Sequence, residues 1–331
     1  MKVGISEWSL HQNFGRFVEN PHPMTVAQFL DLAGQWKVDA VQIESIPDDR
    51  AKLDAIRDQA GKLGLTIEVE ACTIDPPKLR QKIEAAKHLG AKVVRTFPDL
   101  DRYRKGDPLP EQMKRAVKAL KQVAKDAKEL DVYVGVENHQ SLVTDRVTYQ
   151  DISGMELAEI LDEVNSPFVG ACLDAGNVFA YLDDVMETAK RLAPRVMTCH
   201  FKDYRIKRNF RGAEEAGCPL GTGIIDLEAI VKLLRDNSPR GNELCLQIES
   251  PVERILIPFL DADWWSGYQP ADAQRLPAYL KFLAEKGEPS ETDFRLPAEL
   301  GKGLEEILEH EKQYNFQSVQ YTRALLARLK A

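Results

Sequence analysis

Apolar runs of strand length alternate with stretches of helical periodicity along most of this chain. Residues 3–6, 40–44, 66–70 and 92–96 read as strands, and so do 132–136, 169–173, 196–199 and 244–248. Helical patterns fall between them at 25–36, 51–63, 77–88, 111–130, 153–164, 178–192 and 226–236. Strict strand–helix alternation implies an α/β fold with a parallel sheet. Eight such units in 331 residues favour a closed (β/α)8 barrel over an open doubly wound sheet. No G-x-G-x-x-G follows the first strand, so the dinucleotide-binding fingerprint is missing, and Gly221-Thr222-Gly223 is too short and too late to replace it. Glycine after a helix recurs at Gly64 and Gly90, as expected of helix C-caps. No linker divides the chain. The expected organisation is one domain over residues 1–331, a barrel to about 290 and a helical extension over about 297–331. That extension is expected on the outside of the barrel or against a second copy.

The last four strands each end in a metal-competent side chain: Glu137, Asp174, His200 and Glu249. Active sites of (β/α)8 barrels lie at the C-terminal ends of the strands. A single carboxylate there caps a helix or pairs with a cation. Four residues of mixed Glu, Asp and His on successive strands suit one hard divalent cation instead. Such a cation would polarise a carbonyl and stabilise a developing enediolate. Glu137 and Glu249 could flank the substrate carbon, one removing a proton α to the carbonyl and the other returning it. His139 is a candidate proton shuttle, and Lys202 could reach a substrate hydroxyl or carboxylate, with an ion pair to Asp203 as the rival reading.

These motifs, Val136-Glu137-Asn138-His139, Leu173-Asp174-Ala175-Gly176-Asn177, His200-Phe201-Lys202-Asp203 and Gln247-Ile248-Glu249-Ser250-Pro251, resemble the sugar phosphate isomerase/epimerase family. Its members are TIM barrels similar to xylose isomerase. The resemblance implies a single divalent ion on Glu137, Asp174, His200 and Glu249, manganese first, with cobalt or magnesium as alternatives. It places Glu137 and Glu249 at the acid/base positions of the ketose 3-epimerases. Many members carry His three residues after the Asp, where this chain has Asn177. That departure argues against a multinuclear cluster and against the related abasic-site endonucleases. A second departure is the long segment after Glu249.

Three segments exceed ordinary loop length: 8–24 with Trp8 and His11, 204–223, and 254–272 with Trp264 and Trp265. All three belong to the ligand face and are candidates for a substrate lid. Trp8, His11, Asn177, Lys202, Trp264 and Trp265 are therefore the candidate substrate contacts. Pro219–Gly223 could bind phosphate, but a flexible turn is the favoured reading.

A formal charge of −8 argues against general nucleic-acid or membrane binding. The five scattered cysteines, without a C-x-x-C, suggest buried thiols in a reducing cytoplasm. No signal peptide or membrane span is evident. The leading expectation is a metal-dependent isomerase or epimerase acting on a sugar or oxo-sugar. The alternative is a lyase on the same scaffold: a 3-oxo sugar acid decarboxylase, a keto-inositol dehydratase or a 3-oxo C-glycoside deglycosidase. A non-catalytic sugar-binding barrel and a nuclease are more distant readings. A homo-oligomer is expected, and a separate small subunit is an open partner.

Overall fold

The computed structural model describes residues 1–98, 100–143, 147–150 and 152–330. Its first half follows the alternation closely: β1 (Lys2–Ser6), α1 (Val26–Gln35), β2 (Ala40–Ile43), α2 (Arg50–Leu63), β3 (Thr66–Glu70), α3 (Pro76–Leu89), β4 (Val93–Thr96) and α4 (Leu109–Leu130). There follow β5 (Tyr133–Glu137), a hairpin of β6 (Gln140–Val143) and β7 (Val147–Gln150), α5 (Gly154–Val164), β8 (Val169–Asp174), α6 (Val185–Leu192) and β9 (Val196–Phe201). The chain continues through a hairpin of β10 (Tyr204–Asn209) and β11 (Gly212–Gly217), then α7 (Leu227–Asn237), β12 (Cys245–Ile248), β13 (Arg254–Ile257), α8 (Leu276–Lys286) and α9 (Leu304–Lys330). Local chemistry sets several boundaries. Thr25 and Ser153 form capping boxes before α1 and α5, and Gly64 and Gly90 end α2 and α3 at φ of +69° and +76°.

Eight parallel strands close into a barrel in the order β1-β12-β9-β8-β5-β4-β3-β2. Neighbouring registers put Asp174 beside His200 and Gln247 beside His200, so the strand tips meet at one level. The expected barrel is present. Cys172, Cys199 and Cys245 are buried thiols within its wall, as read from the sequence, while Cys72 is exposed.

Three expectations are corrected. The segment 178–192 is not one helix: a 3-10 turn at Asn177–Tyr181 ends at Leu182 in the left-handed region, and Asp184 caps a separate α6. The long face segments are not simple loops. β10, β11 and β13 join the β6–β7 hairpin in a five-stranded sheet of order β10-β11-β13-β7-β6, an element the sequence pattern did not reveal. The final helix starts at Leu304 rather than near residue 297 and packs against β1 and β12. Its Arg323 reaches the Trp36 and Lys37 carbonyls after α1, and Arg235 of α7 reaches the Leu329 carbonyl. The 27-residue α9 thus lies between α7 and α1 and covers the seam where the barrel closes. Its buried stripe mixes Ile307, Val319 and Leu325 with Glu311, Asn315, Ser318 and Thr322. The Glu311 carboxylate accepts from Gln12 N and Asn13 N at 2.9 Å each, which ties the loop after β1 to this helix.

Candidate metal centre

Each barrel strand delivers its last inward-facing residue to the same end of the lumen. Ligand atoms of Glu137, Asp174, His200 and Glu249 all lie within 4.8 Å of one another, and all four residues are buried. His200 Nδ1 is 3.2 Å from Glu137 Oε1, 3.1 Å from Glu249 Oε2 and 3.8 Å from Asp174 Oδ2. Donor atoms that share one small divalent ion in a near-octahedral site stand roughly 3 Å apart.

The tautomer of His200 follows from its neighbours. Nε2 is 2.7 Å from Gln42 Oε1, while Gln42 Nε2 donates to Glu68. Nε2 therefore carries a proton, which leaves Nδ1 as the nitrogen that faces the three carboxylates and would ligate a cation. Among the described residues, Nδ1 is buried with no hydrogen-bond partner, and Asp174 Oδ2 meets the Lys202 ammonium at 2.9 Å. Asp174 Oδ1, in contrast, accepts from Gly176 N and Asn177 N at 2.9 and 3.1 Å, so this residue both caps the following turn and presents its second oxygen to the centre. An O, O, O, N set in a dry site, with Nδ1 lacking a hydrogen bond, fits a divalent cation such as Mn2+, Co2+ or Mg2+. Such an ion would act as a Lewis acid toward a substrate carbonyl.

Around these residues sits a set of polar and charged groups, of which sequence reasoning passed over Arg95 and Glu70. Arg95, at the end of β4, pairs with Glu137 Oε2 on one side and with Glu70 Oε1 at 2.8 Å on the other. Asn177 Nδ2 donates to Glu137 Oε1 at 3.0 Å, and Asn138 binds both the amide and the carbonyl of Asp174. Lys202 Nζ lies 2.9 Å from Asp174 Oδ2 and 2.7 Å from Glu249 Oε2; Lys202 is buried, so the rival reading of a surface pairing with Asp203 does not apply. Burial raises the Glu137 carboxyl, but Arg95 and His200 override it and hold the group well below the usual range. Burial likewise opposes ionisation of Glu249, but His200 and Lys202 bring it down to about 2. For His200, burial works against protonation and the surrounding carboxylates win, pushing the ring up to about 10. That raised value expresses the same surplus of negative charge that a cation would neutralise.

The remaining sequence candidates divide. Trp8 lines a cavity of about 440 Å³ over β1–β3, with Arg16, Glu44, Glu70, Cys72 and Lys82 around it. The Glu70–Arg95–Glu137 chain of ion pairs joins this cavity to the ligands. His11 is buried; Nδ1 bonds the Trp8 carbonyl at 3.1 Å and lies 3.4 Å from Glu311 Oε1, and burial pushes its ring down to about 4. His139, two residues after Glu137, stacks on Phe97 at 4.0 Å. Asn177 holds Glu137 and the Asn138 carbonyl through its Nδ2. Trp264 and Trp265 form a cluster with Tyr268, anchored by Tyr103 to the Trp264 carbonyl and by the Phe259 carbonyl to Trp265. The glycines at 221 and 223 wrap an internal anion. Asp203 accepts from Gly221 N, Gly223 N and Ile225 N at 2.9–3.1 Å, which fills the place a phosphate would take.

A family model described as a xylose isomerase-like TIM barrel matches residues 30–265. The chain belongs to this family. Among curated proteins, this xylose isomerase-like barrel is 25% identical over 252 residues to the 3-oxo-isoapionate decarboxylase of Pectobacterium atrosepticum, covering 74% of this chain and 84% of that protein. It is similar in fold to D-psicose 3-epimerase from Clostridium cellulolyticum, with a TM-score of 0.59 and 15% identity over 87% of this chain and all of that one. It is also similar to the IolI protein solved with a zinc atom, with a TM-score of 0.56 and 16% identity over 87% of this chain and all of that one.

The five-stranded sheet buries two acids, Glu214 and Glu215. Glu214 faces Arg254 and Lys207, while its neighbour Glu215 points the other way, between Ile206 and Ile255. Glu215 accepts from Gln140 at 3.4 Å, and burial pushes its carboxyl up to about 8. An acid whose folded value is raised from 4.5 keeps its proton while the unfolded chain loses it. Its contribution to stability is therefore complete below about pH 4.5 and falls as pH rises toward 8. Glu215→Gln should flatten the decline of melting temperature between pH 5 and 8, followed by differential scanning fluorimetry. Parallel wild-type and variant curves would contradict this assignment.

Proposed function

We propose that the chain is a divalent-cation-dependent enzyme acting on an oxo-sugar acid. The proposed reaction is loss of carboxylate from a 3-oxo sugar acid, leaving an enediolate that is then protonated. The observation that carries this reading is the clamp on Glu137. One of its oxygens is ion-paired with Arg95, and the other is bonded by Asn177 and faces His200. A carboxylate so saturated is a weak base. Glu249, beside Lys202 and His200, is also strongly ionised. Epimerisation needs a carboxylate to remove a proton next to the carbonyl. Decarboxylation needs none: the electrons of the breaking C–C bond pass into the carbonyl, carbon dioxide leaves, and one proton is delivered to carbon. That proton comes from solvent, and Lys202, between Asp174 and Glu249, can hold the substrate carboxylate before it leaves. The cavity beside Trp8, about 440 Å³, lies within the range of small-molecule sites. The sequence similarity to a 3-oxo-isoapionate decarboxylase supports the same reading.

Epimerisation of a ketose is the second reading, favoured by the placement of Glu137 and Glu249 on either side of His200 Nδ1. The two are separated by incubating the Mn2+-loaded protein in deuterated water with 3-oxo sugar acids and, in parallel, with a panel of ketoses. The expected outcome is carbon dioxide release with one deuterium in the product, and no exchange into the ketoses. Deuterium washed into ketose C3 without carbon dioxide from any acid would reverse the assignment.

A further inference from the structure

Barrel interiors are normally filled by layers of branched apolar side chains. Directly below the ligands, this barrel carries a polar layer instead: Gln42, Glu68, Thr198 and Gln247, all essentially inaccessible to solvent. One oxygen of Glu68, Oε2, accepts from Thr198 Oγ1 at 2.7 Å, Gln247 Nε2 at 3.0 Å and Gln42 Nε2 at 3.4 Å. β3 and β9 are not neighbours in the ring, so the bond from Thr198 to Glu68 crosses the lumen. The bond from His200 on β9 to Gln42 on β2 crosses it as well. Gly4 makes room for the layer, because a Cβ there would come within 2.3 Å of Gln247 Oε1.

This layer has a direction. Glu68 offers only acceptor oxygen to its three donors, so the Gln42 amide must turn its NH2 group down. Its carbonyl oxygen then faces His200 Nε2 and can only accept. The imidazole is left with Nδ1 free as a ligand. Were the Gln42 amide reversed, its NH2 would face Nε2, and the imidazole proton would move to Nδ1. There it would point at Glu137 and Glu249 and occupy the cation's position.

We propose that Glu68, acting through Gln42, is a positioning residue that selects the nitrogen His200 presents to the cation, so that metal affinity is set from below the site. The proposal rests on the metal-centre reading above and concerns binding rather than turnover. A hydrogen bond to a ligating histidine is worth roughly 10–100-fold in metal affinity. The test is titration of the full-length protein with Mn2+, with free ion read by electron paramagnetic resonance, in wild type, Gln42→Met, Gln42→Glu and Glu68→Met. Gln42→Met should weaken Mn2+ binding by roughly 10–100-fold. Gln42→Glu should rescue it, because a protonated carboxyl can accept from His200 and donate to Glu68. Glu68→Met should weaken binding although it touches no ligand, and Thr198→Val, which removes a donor but not the acceptor, should not. A general packing defect would lower the metal-free melting temperature of all these variants alike without following this order. Wild-type affinity in Gln42→Met and Glu68→Met overturns the relay and leaves the metal site standing. Failure of the wild type to bind Mn2+, Co2+, Mg2+ or Zn2+ overturns the metal-site reading and the relay together.

Discussion

Asp174→Asn should bring turnover to background, a loss on the order of 10³-fold, and weaken Mn2+ binding by at least ~100-fold. The substitution is nearly isosteric. Its carbonyl oxygen can still accept from Gly176 N and Asn177 N, so the turn after β8 should hold. What changes is Oδ2, the oxygen turned toward His200 and Lys202. An NH2 group in its place directs a donor at the cation and at Lys202 Nζ, now 2.9 Å away. One negative charge leaves a set in which three carboxylates face one imidazole nitrogen. Lys202 retains Glu249 at 2.7 Å, so no buried ammonium is stranded. Isothermal titration with Mn2+ and steady-state rates at saturating metal check both numbers. Wild-type affinity, or more than a small fraction of wild-type turnover with metal in excess, would remove Asp174 from the ligand set.

The barrel was legible because its strands bury both faces and read as continuous apolar runs, with a polar residue at each tip. Glu137, Asp174, His200 and Glu249 stood out for that reason. Arg95 and Glu70 carry the same mark at the ends of β4 and β3. Yet an arginine and a glutamate on separate strands mean little until barrel closure brings them to 2.8 Å. Gln42 and Glu68 were hidden differently. They lie inside apolar runs, where a polar side chain looks like the solvent face of a one-sided strand. The five-stranded sheet was illegible because β11 reads Gly-Ala-Glu-Glu-Ala-Gly, with no β-branched residue. Its pairing with β10 and β13, and the burial of Glu214 against Arg254 and Lys207, override that local preference. α9 was legible as a helix but not in its place. Its buried stripe contains Glu311, Asn315, Ser318 and Thr322, which look solvent-facing until their partners in the loop after β1 and in the turn near Leu220 are seen.

Arg95→Met should be the most destabilising single change near the site and should also alter its chemistry. Arg95 is buried between Glu70 and Glu137. Removing one partner of a buried ion pair typically costs about 3–5 kcal/mol, because a charge is left without compensation. Here Glu137 is left with Asn177 and His200, and Glu70 loses the cation that opposes its burial. Mn2+ held at Glu137, as proposed, should restore part of the lost stability, so the difference between wild type and variant in urea unfolding should shrink when metal is present. The carboxyl of Glu137, no longer held down by the guanidinium, becomes more basic. A variant of a decarboxylase that gains a competent base should begin to exchange the protons next to ketose carbonyls with solvent, a reaction the wild type should not catalyse. Arg95→Lys provides the intermediate case, since one ammonium can replace the charge but not the two-sided fork. Exchange that is equally fast in wild type and Arg95→Met would mean that the clamp does not restrain Glu137, and the argument for decarboxylation over epimerisation would fall with it.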